Sequence, residues 1–123
     1  MLTRPNTGAL IVPSGLIELG GAGNILGAVP KTISATTYTL LASDFGKRLI
    51  FTAATEVTVT VPASLPLNYE VTLQQKGAGQ VVLTGQTINN ASSHTKLSGQ
   101  HAIAALLGEP TVNVYTLTGS TGA

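Results

Sequence analysis

The segment 56–83 constrains the fold most, because apolar and polar side chains alternate there in three short runs. In an extended chain, the valines of 57–61 fall on one face and the intervening threonines on the other. The runs are separated at 62–68 and 77–79 by proline, asparagine and glycine, which interrupt strands. The pattern predicts consecutive antiparallel strands that bury one face, with a hairpin turn at 77–79.

Similar short runs continue along the rest of the chain and leave room for one helical turn. Residues 41–45 can form that turn, with Ser43 or Asp44 as a cap and Gly46 as its end. We therefore predict an all-β domain over residues 32–123, an antiparallel β-sandwich of jelly-roll or Greek-key type. The predicted strands cover residues 32–40, 48–52, 56–61, 70–75, 80–83, 87–88, 101–107 and 111–118.

Residues 1–31 differ from the rest, because they are rich in glycine and aliphatic residues and contain several breakers. Such a segment cannot build a core of its own, and its apolar side chains are costly to leave in water. We expect an extended N-terminal arm that docks on a neighbouring subunit or another protein surface. Burial of each large aliphatic side chain would contribute roughly 1.5 to 3 kcal/mol before ordering entropy is subtracted. The expected partner-binding residues are Leu10, Ile11, Val12, Leu16, Ile17 and Leu19.

Composition narrows the class of protein. Only 9% of the residues are charged, against about 25% in ordinary domains. The mean hydropathy is +0.34, yet no apolar run reaches the ~18 residues of a spanning helix, and we expect neither a membrane segment nor a secretory signal. With no cysteine in the chain, disulfides cannot stabilise the domain, so we expect oligomerisation, as a homotrimer. The net charge of +1 indicates no nucleic-acid partner.

Catalytic motifs are missing from the sequence. Neither paired carboxylates nor a nucleophile beside a base can be recognised. His94 lies in a polar loop and His101 opens a predicted strand, and no cluster of further ligands accompanies them. We therefore expect no enzyme activity, no metal and no cofactor.

Sugar binding is the competing expectation, because the loop 85–98 is rich in serine and asparagine. The possible loop contacts are Asn89, Asn90 and His94. Sugar sites usually use aromatic faces, and the chain has no Trp, three Tyr and two Phe. We expect the three tyrosines at the edge of the sandwich or in an interface.

The order of five short motifs resembles a β-module common in structural proteins of tailed bacteriophages. The resemblance covers most of residues 32–119, and the chain departs from it at 114–115, where Val-Tyr stands and many members carry Trp. The motifs are YTL at 38–40, DFGK at 44–47, VTVTVP at 57–62, GAGQV at 77–81 and LSGQ at 97–100.

The resemblance implies a structural component of the virion. One small domain with an apolar arm suits a capsid decoration (cement) protein, which would bind the major capsid protein on the virion surface. A trimer is the natural form at threefold positions of a capsid. The alternative that stays open is a tail-fibre or host-recognition module that binds a surface glycan or protein.

Overall fold

The computed structural model describes residues 29–123 and shows that this part of the chain is all-β, as predicted. The six predicted arm residues, from Leu10 to Leu19, lie outside the described residues. One 3-10 turn, Ala42–Asp44, forms inside the predicted helical segment. None of the described residues belongs to a helix that could cross a membrane. The strands are β1 Pro30–Ile33, β2 Thr37–Thr39, β3 Arg48–Phe51, β4 Val57–Val61, β5 Glu70–Gln75, β6 Val81–Gly85, β7 Thr87–Asn89, β8 Lys96–Leu97, β9 Ile103–Gly108, β10 Val114–Gly119 and β11 Thr121–Gly122.

The first six strands alternate between two sheets. β1, β3 and β5 lie side by side and parallel in a six-stranded sheet. β2, β4 and β6 do the same in a five-stranded sheet. Each pair of strands is thus one coil, and three coils stack in an arrangement of β-solenoid type.

The later strands extend both sheets with mixed pairing. β9 pairs antiparallel with β5 and with β10, and β7 pairs parallel with β10 at the far edge. In the other sheet β8 pairs antiparallel with β6 and with β11. The strand orders are β1-β3-β5-β9-β10-β7 and β11-β8-β6-β4-β2.

The core is one cluster of buried residues from both sheets. The alternation predicted for β4 is confirmed, because Val57, Val59 and Val61 are fully buried while Thr58 and Thr60 are half-buried. Val71 and Leu73 of β5 are buried in the same way. Since each strand contributes one face, the cluster fills the space between the sheets.

The prediction of an antiparallel sandwich is wrong in the direction of pairing. β4 and β6 are parallel partners, and β5, which separates them in sequence, belongs to the other sheet. The segment 77–79 is therefore an arch between sheets and not a hairpin turn. A parallel return needs a long crossover, and here a strand of the opposite sheet supplies it.

The predicted strand limits also change in two places. Residues 32–40 do not form one strand, because the chain turns at 34–36 and passes from one sheet to the other. β1 begins at Pro30, so the expected domain boundary at residue 32 falls inside a strand. β10 starts at Val114, after Asn113 with φ of 64°. β8 and β11 were not predicted.

Candidate interaction surface

Several connections meet along one lateral edge of the module. The segments 40–47 and 62–69 both lead from the five-stranded to the six-stranded sheet. The β9–β10 connection, 109–113, lies at the same edge because the end of β9 pairs with the start of β5, Leu107 opposite Glu70. The backbone before β1 is there too, since the carbonyl of Val29 accepts the N–H of Arg48 at 3.0 Å.

This edge carries most of the exposed apolar surface of the described residues. Six large hydrophobic side chains are exposed there and elsewhere, and five of them belong to this edge. The sixth, Ile103, lies at the opposite edge, beside Gln74 at the end of β5. We call the five the apolar edge; they are 46% to 57% exposed and comprise Val29, Leu41, Phe45, Leu67 and Val112.

The members of the apolar edge are linked by packing and hydrogen bonds. The ring of Phe45 packs edge-on against Tyr69 with 5.4 Å between centroids. The hydroxyl of Tyr69 donates to the carbonyl of Leu41 at 2.7 Å. Leu67 and Val112 line one shallow depression. The edge is therefore a continuous stripe that runs along the stacking direction of the coils.

The loops beneath the stripe are held in fixed shapes. The N–H of Ser64 donates to the side-chain oxygen of Asn113 at 2.9 Å, which joins the second loop to the third. Ser64, Asn68 and Asn113 all have positive φ, between 61° and 70°, as tight turns require. Gly108 lies so close to Tyr69 that an added Cβ would come within 2.7 Å of the Tyr69 nitrogen. A preformed surface of this kind loses little entropy when it binds.

A polar cluster of Lys31, Tyr38 and Asp44 lies behind the first loop of the edge. The carboxylate of Asp44 is fully buried and accepts the hydroxyl of Tyr38 at 2.6 Å and the N–H of Leu41 at 3.0 Å. The ammonium of Lys31 donates to Tyr38 at 2.7 Å and to Asp44 at 3.3 Å. It also lies 5.1 Å from the centre of the Tyr38 ring. These contacts fix the turn that presents Leu41 and Phe45.

The hydrogen bonds keep the buried carboxylate ionised. Burial alone would raise the pKa of Asp44, but the hydrogen bonds from Tyr38, Leu41 and Lys31 outweigh it, so the pKa lies below 3.8. Burial raises the pKa of the Tyr38 hydroxyl, and the bond to Asp44 raises it further. The cluster is thus an ion pair with a neutral tyrosine between the charges, an arrangement that stabilises structure.

The predicted loop contacts are placed differently from one another. Asn89 is exposed on β7, whereas the Asn90 amide points inward and donates to the carbonyl of Leu117 at 2.8 Å. The Asn90 oxygen accepts the N–H groups of Ser92 and His94 at 2.8 and 3.0 Å, so this residue shapes the loop. His94 is half-buried, with Nδ1 3.1 Å from the Thr121 hydroxyl. His94 lines an open depression of about 360 Å³ together with Ser92, Ser93, Thr95, Lys96, Gly122 and Ala123.

The other candidate residues stand apart. His101 is exposed in a turn with φ of 71°. Between residues 29 and 123 no three His, Asp or Glu side chains are grouped as metal ligands. Tyr69 and Tyr115 are buried in the core, so the expectation of edge or interface positions is wrong for both; Tyr38 is half-buried.

Sequence reasoning missed the apolar edge and the buried acid. Leu65 and Leu67 lie in a segment that was interpreted only as a break between strands. Two leucines in a short proline-rich loop were the available signal, since one of them packs inward and the other is exposed. Asp44 was interpreted as a cap, and nothing local indicates that Lys31 and Tyr38 would reach it.

Comparison with known proteins gives no relative: no protein-family model matches the chain, and no curated protein matches it significantly. The functional argument therefore depends on the chain's own residues.

Proposed function

We propose that the protein is a non-enzymatic structural protein of a tailed-bacteriophage virion, a capsid decoration (cement) protein. In this proposal it assembles as a homotrimer on the capsid surface and binds the major capsid protein. The observation that carries the proposal is the apolar edge: a stripe of exposed hydrophobic side chains on a stiff β-module. The motif order of residues 32–119 supports a virion component, and the stripe supports a binding role within it.

The apolar edge has enough surface for attachment at many repeated sites. Full burial of a large hydrophobic side chain is worth about 1.5 to 3 kcal/mol, and each of these five is already roughly half-buried. Covering them all would contribute about 4 to 7 kcal/mol before the costs of association. Such an interface is modest for one subunit. A trimer engages three copies at once, and the linked contacts raise the avidity without any new contact.

A direct test is co-sedimentation of the purified protein with undecorated capsids of the encoding phage. We expect wild-type protein to bind at a fixed stoichiometry, and L67D with V112D to weaken binding at least tenfold, because two charges would be desolvated in the interface. I103D is the matched control, since Ile103 is similarly exposed but lies at the opposite edge. Absence of wild-type binding would contradict the proposal, and equal loss in the control variant would show that the edge is not the contact.

A second candidate function is supported by the depression beside His94 and Lys96, whose walls carry hydroxyl, imidazole and ammonium groups. These groups could hold the hydroxyls of a glycan, as a tail-fibre or host-recognition module would. No aromatic side chain is among the lining residues, so the usual stacking surface for a sugar ring is missing. Binding of the free protein to whole host cells, lost in a variant with H94A and K96A, would favour this function over capsid attachment.

A further inference from the structure

The start of the described chain lies on the apolar edge itself. Val29 is one of its members, is 57% exposed, and is held by the hydrogen bond from Arg48. The preceding 28 residues therefore join the module at the end of the stripe and not at a distant point. They include the aliphatic segment 10–19, whose large side chains match the apolar character of the stripe.

We propose that, in the free protein, residues 10–19 cover the apolar edge of their own chain. This inference names the regulation of the proposed binding surface. It depends on the proposed function only in that the capsid is the surface that replaces the arm. The displaced arm is then available to contact a neighbouring subunit or the shell.

The lengths agree with a contact inside one chain. Nine residues, 20–28, connect the segment to Val29, and four of them are glycine. A glycine-rich linker of this length has a typical span of about 15 to 18 Å and a maximum near 30 Å. The stripe extends from β1 to β10, four strand spacings in the order of the sheet, which is about 19 Å. The linker can therefore place the arm on any part of the stripe.

The tether also favours the chain's own arm over that of a second copy. A short flexible linker gives an effective concentration in the millimolar range, whereas another molecule is present at its bulk concentration. At micromolar protein the intramolecular contact is thus favoured about a thousandfold. Covering the stripe also lowers the tendency of an exposed apolar patch to associate nonspecifically.

Engineered cysteines test the contact in the full-length protein, because the natural chain contains none. The test variant carries I17C with L67C, and the matched control carries I17C with I103C. Under mild oxidation at low micromolar concentration, we expect a monomeric disulfide in the test variant to form at least tenfold faster than in the control. Both target positions are about half exposed, so folding is expected to be retained and circular dichroism checks it.

Mixing the single variants I17C and L67C identifies the chain that supplies the arm. A disulfide-linked dimer that forms in this mixture as fast as the monomeric disulfide would show that a second copy occupies the stripe, and would overturn the proposal. Equal disulfide rates in test and control variants would also overturn it.

Hydrogen exchange gives a readout that needs no cysteine. We expect L16D with I17D to speed amide exchange in 64–68 and 111–113 about fivefold or more, with no change at 98–101. Unchanged exchange in the edge loops would refute the arm contact. If the disulfide forms but wild-type protein ignores capsids, the proposed function fails and this inference stands. If capsids are bound but no disulfide forms, the reverse holds.

Discussion

Replacing Asp44 with alanine tests whether the polar cluster holds the first loop of the apolar edge in place. The buried carboxylate accepts two hydrogen bonds in good geometry, from Tyr38 at 2.6 Å and from Leu41 at 3.0 Å. Hydrogen bonds to a charged group contribute about 1.5 to 3 kcal/mol each. The Lys31 contact adds little, because it is 3.3 Å long and the lysine is 35% exposed. Water can reach part of the vacated site, so we expect a loss of about 3 kcal/mol in the free energy of unfolding.

Urea unfolding of the full-length variants measures this loss. D44A should lower the midpoint at an unchanged slope, and D44N should lower it by a smaller amount, because the amide keeps one acceptor but turns a donor towards Lys31 or Leu41. E56A is the control; Glu56 is exposed and forms no side-chain hydrogen bond in the described residues, so its effect should stay within about 0.5 kcal/mol. If D44A costs under about 1 kcal/mol, the cluster does not hold the loop.

Three further changes test the reasoning at other positions. Because the folded pKa of Asp44 lies below 3.8, its contribution is fully present above that pH and lost as pH falls through the folded pKa; acid unfolding of wild type should thus exceed that of D44N between pH 4 and 2, by about 2 kcal/mol or less. G79A should cost about 2 kcal/mol or more, since its Cβ would meet the Thr55 backbone, whereas G99A, with nothing within 4 Å, should be nearly neutral in the same urea assay. Y69F removes the 2.7 Å hydrogen bond to Leu41 and should lower stability by about 1 kcal/mol, while Y115F, whose hydroxyl forms no hydrogen bond in the described residues, should not.

The buried faces of the strands could be predicted from the sequence because the period of two does not depend on the pairing partner. Val57 and Val59 face the core whether β4 pairs with a parallel or an antiparallel neighbour. Strand direction is a different matter, because it depends on which segments meet. A repeat signal was present: Arg48 pairs with Thr72 and Val57 with Val81, the same offset of 24 residues in both sheets. That offset marks one coil, but the repeated residues are too dissimilar to reveal it.

The candidate site was harder to predict for a related reason. Loops that are separate in sequence become neighbours only after the coils stack, as with Phe45 and Tyr69 or Leu67 and Val112. Each exposed hydrophobic residue is unremarkable alone. The same holds for Asp44, whose burial depends on Lys31 and Tyr38 from the preceding coil. Asn90, predicted as a contact for a ligand, instead uses its amide to shape its own loop.

The position of β1 leads to a last prediction, which separates the arm from the domain more sharply than the sequence did. Removing residues 1–31 would also remove Pro30 and Lys31, the first half of β1, together with the contacts of Lys31 to Tyr38 and Asp44. Removing residues 1–28 leaves β1 whole. We therefore expect the longer deletion to unfold at lower urea than the shorter one, by about 1 to 2 kcal/mol, from two lost strand residues and a partly exposed ion pair. A full-length K31A variant isolates the side-chain share, which should be less than half of the difference. Equal stability of the two truncated proteins would show that the β-domain begins at residue 32 after all and that the first half of β1 contributes nothing to the fold.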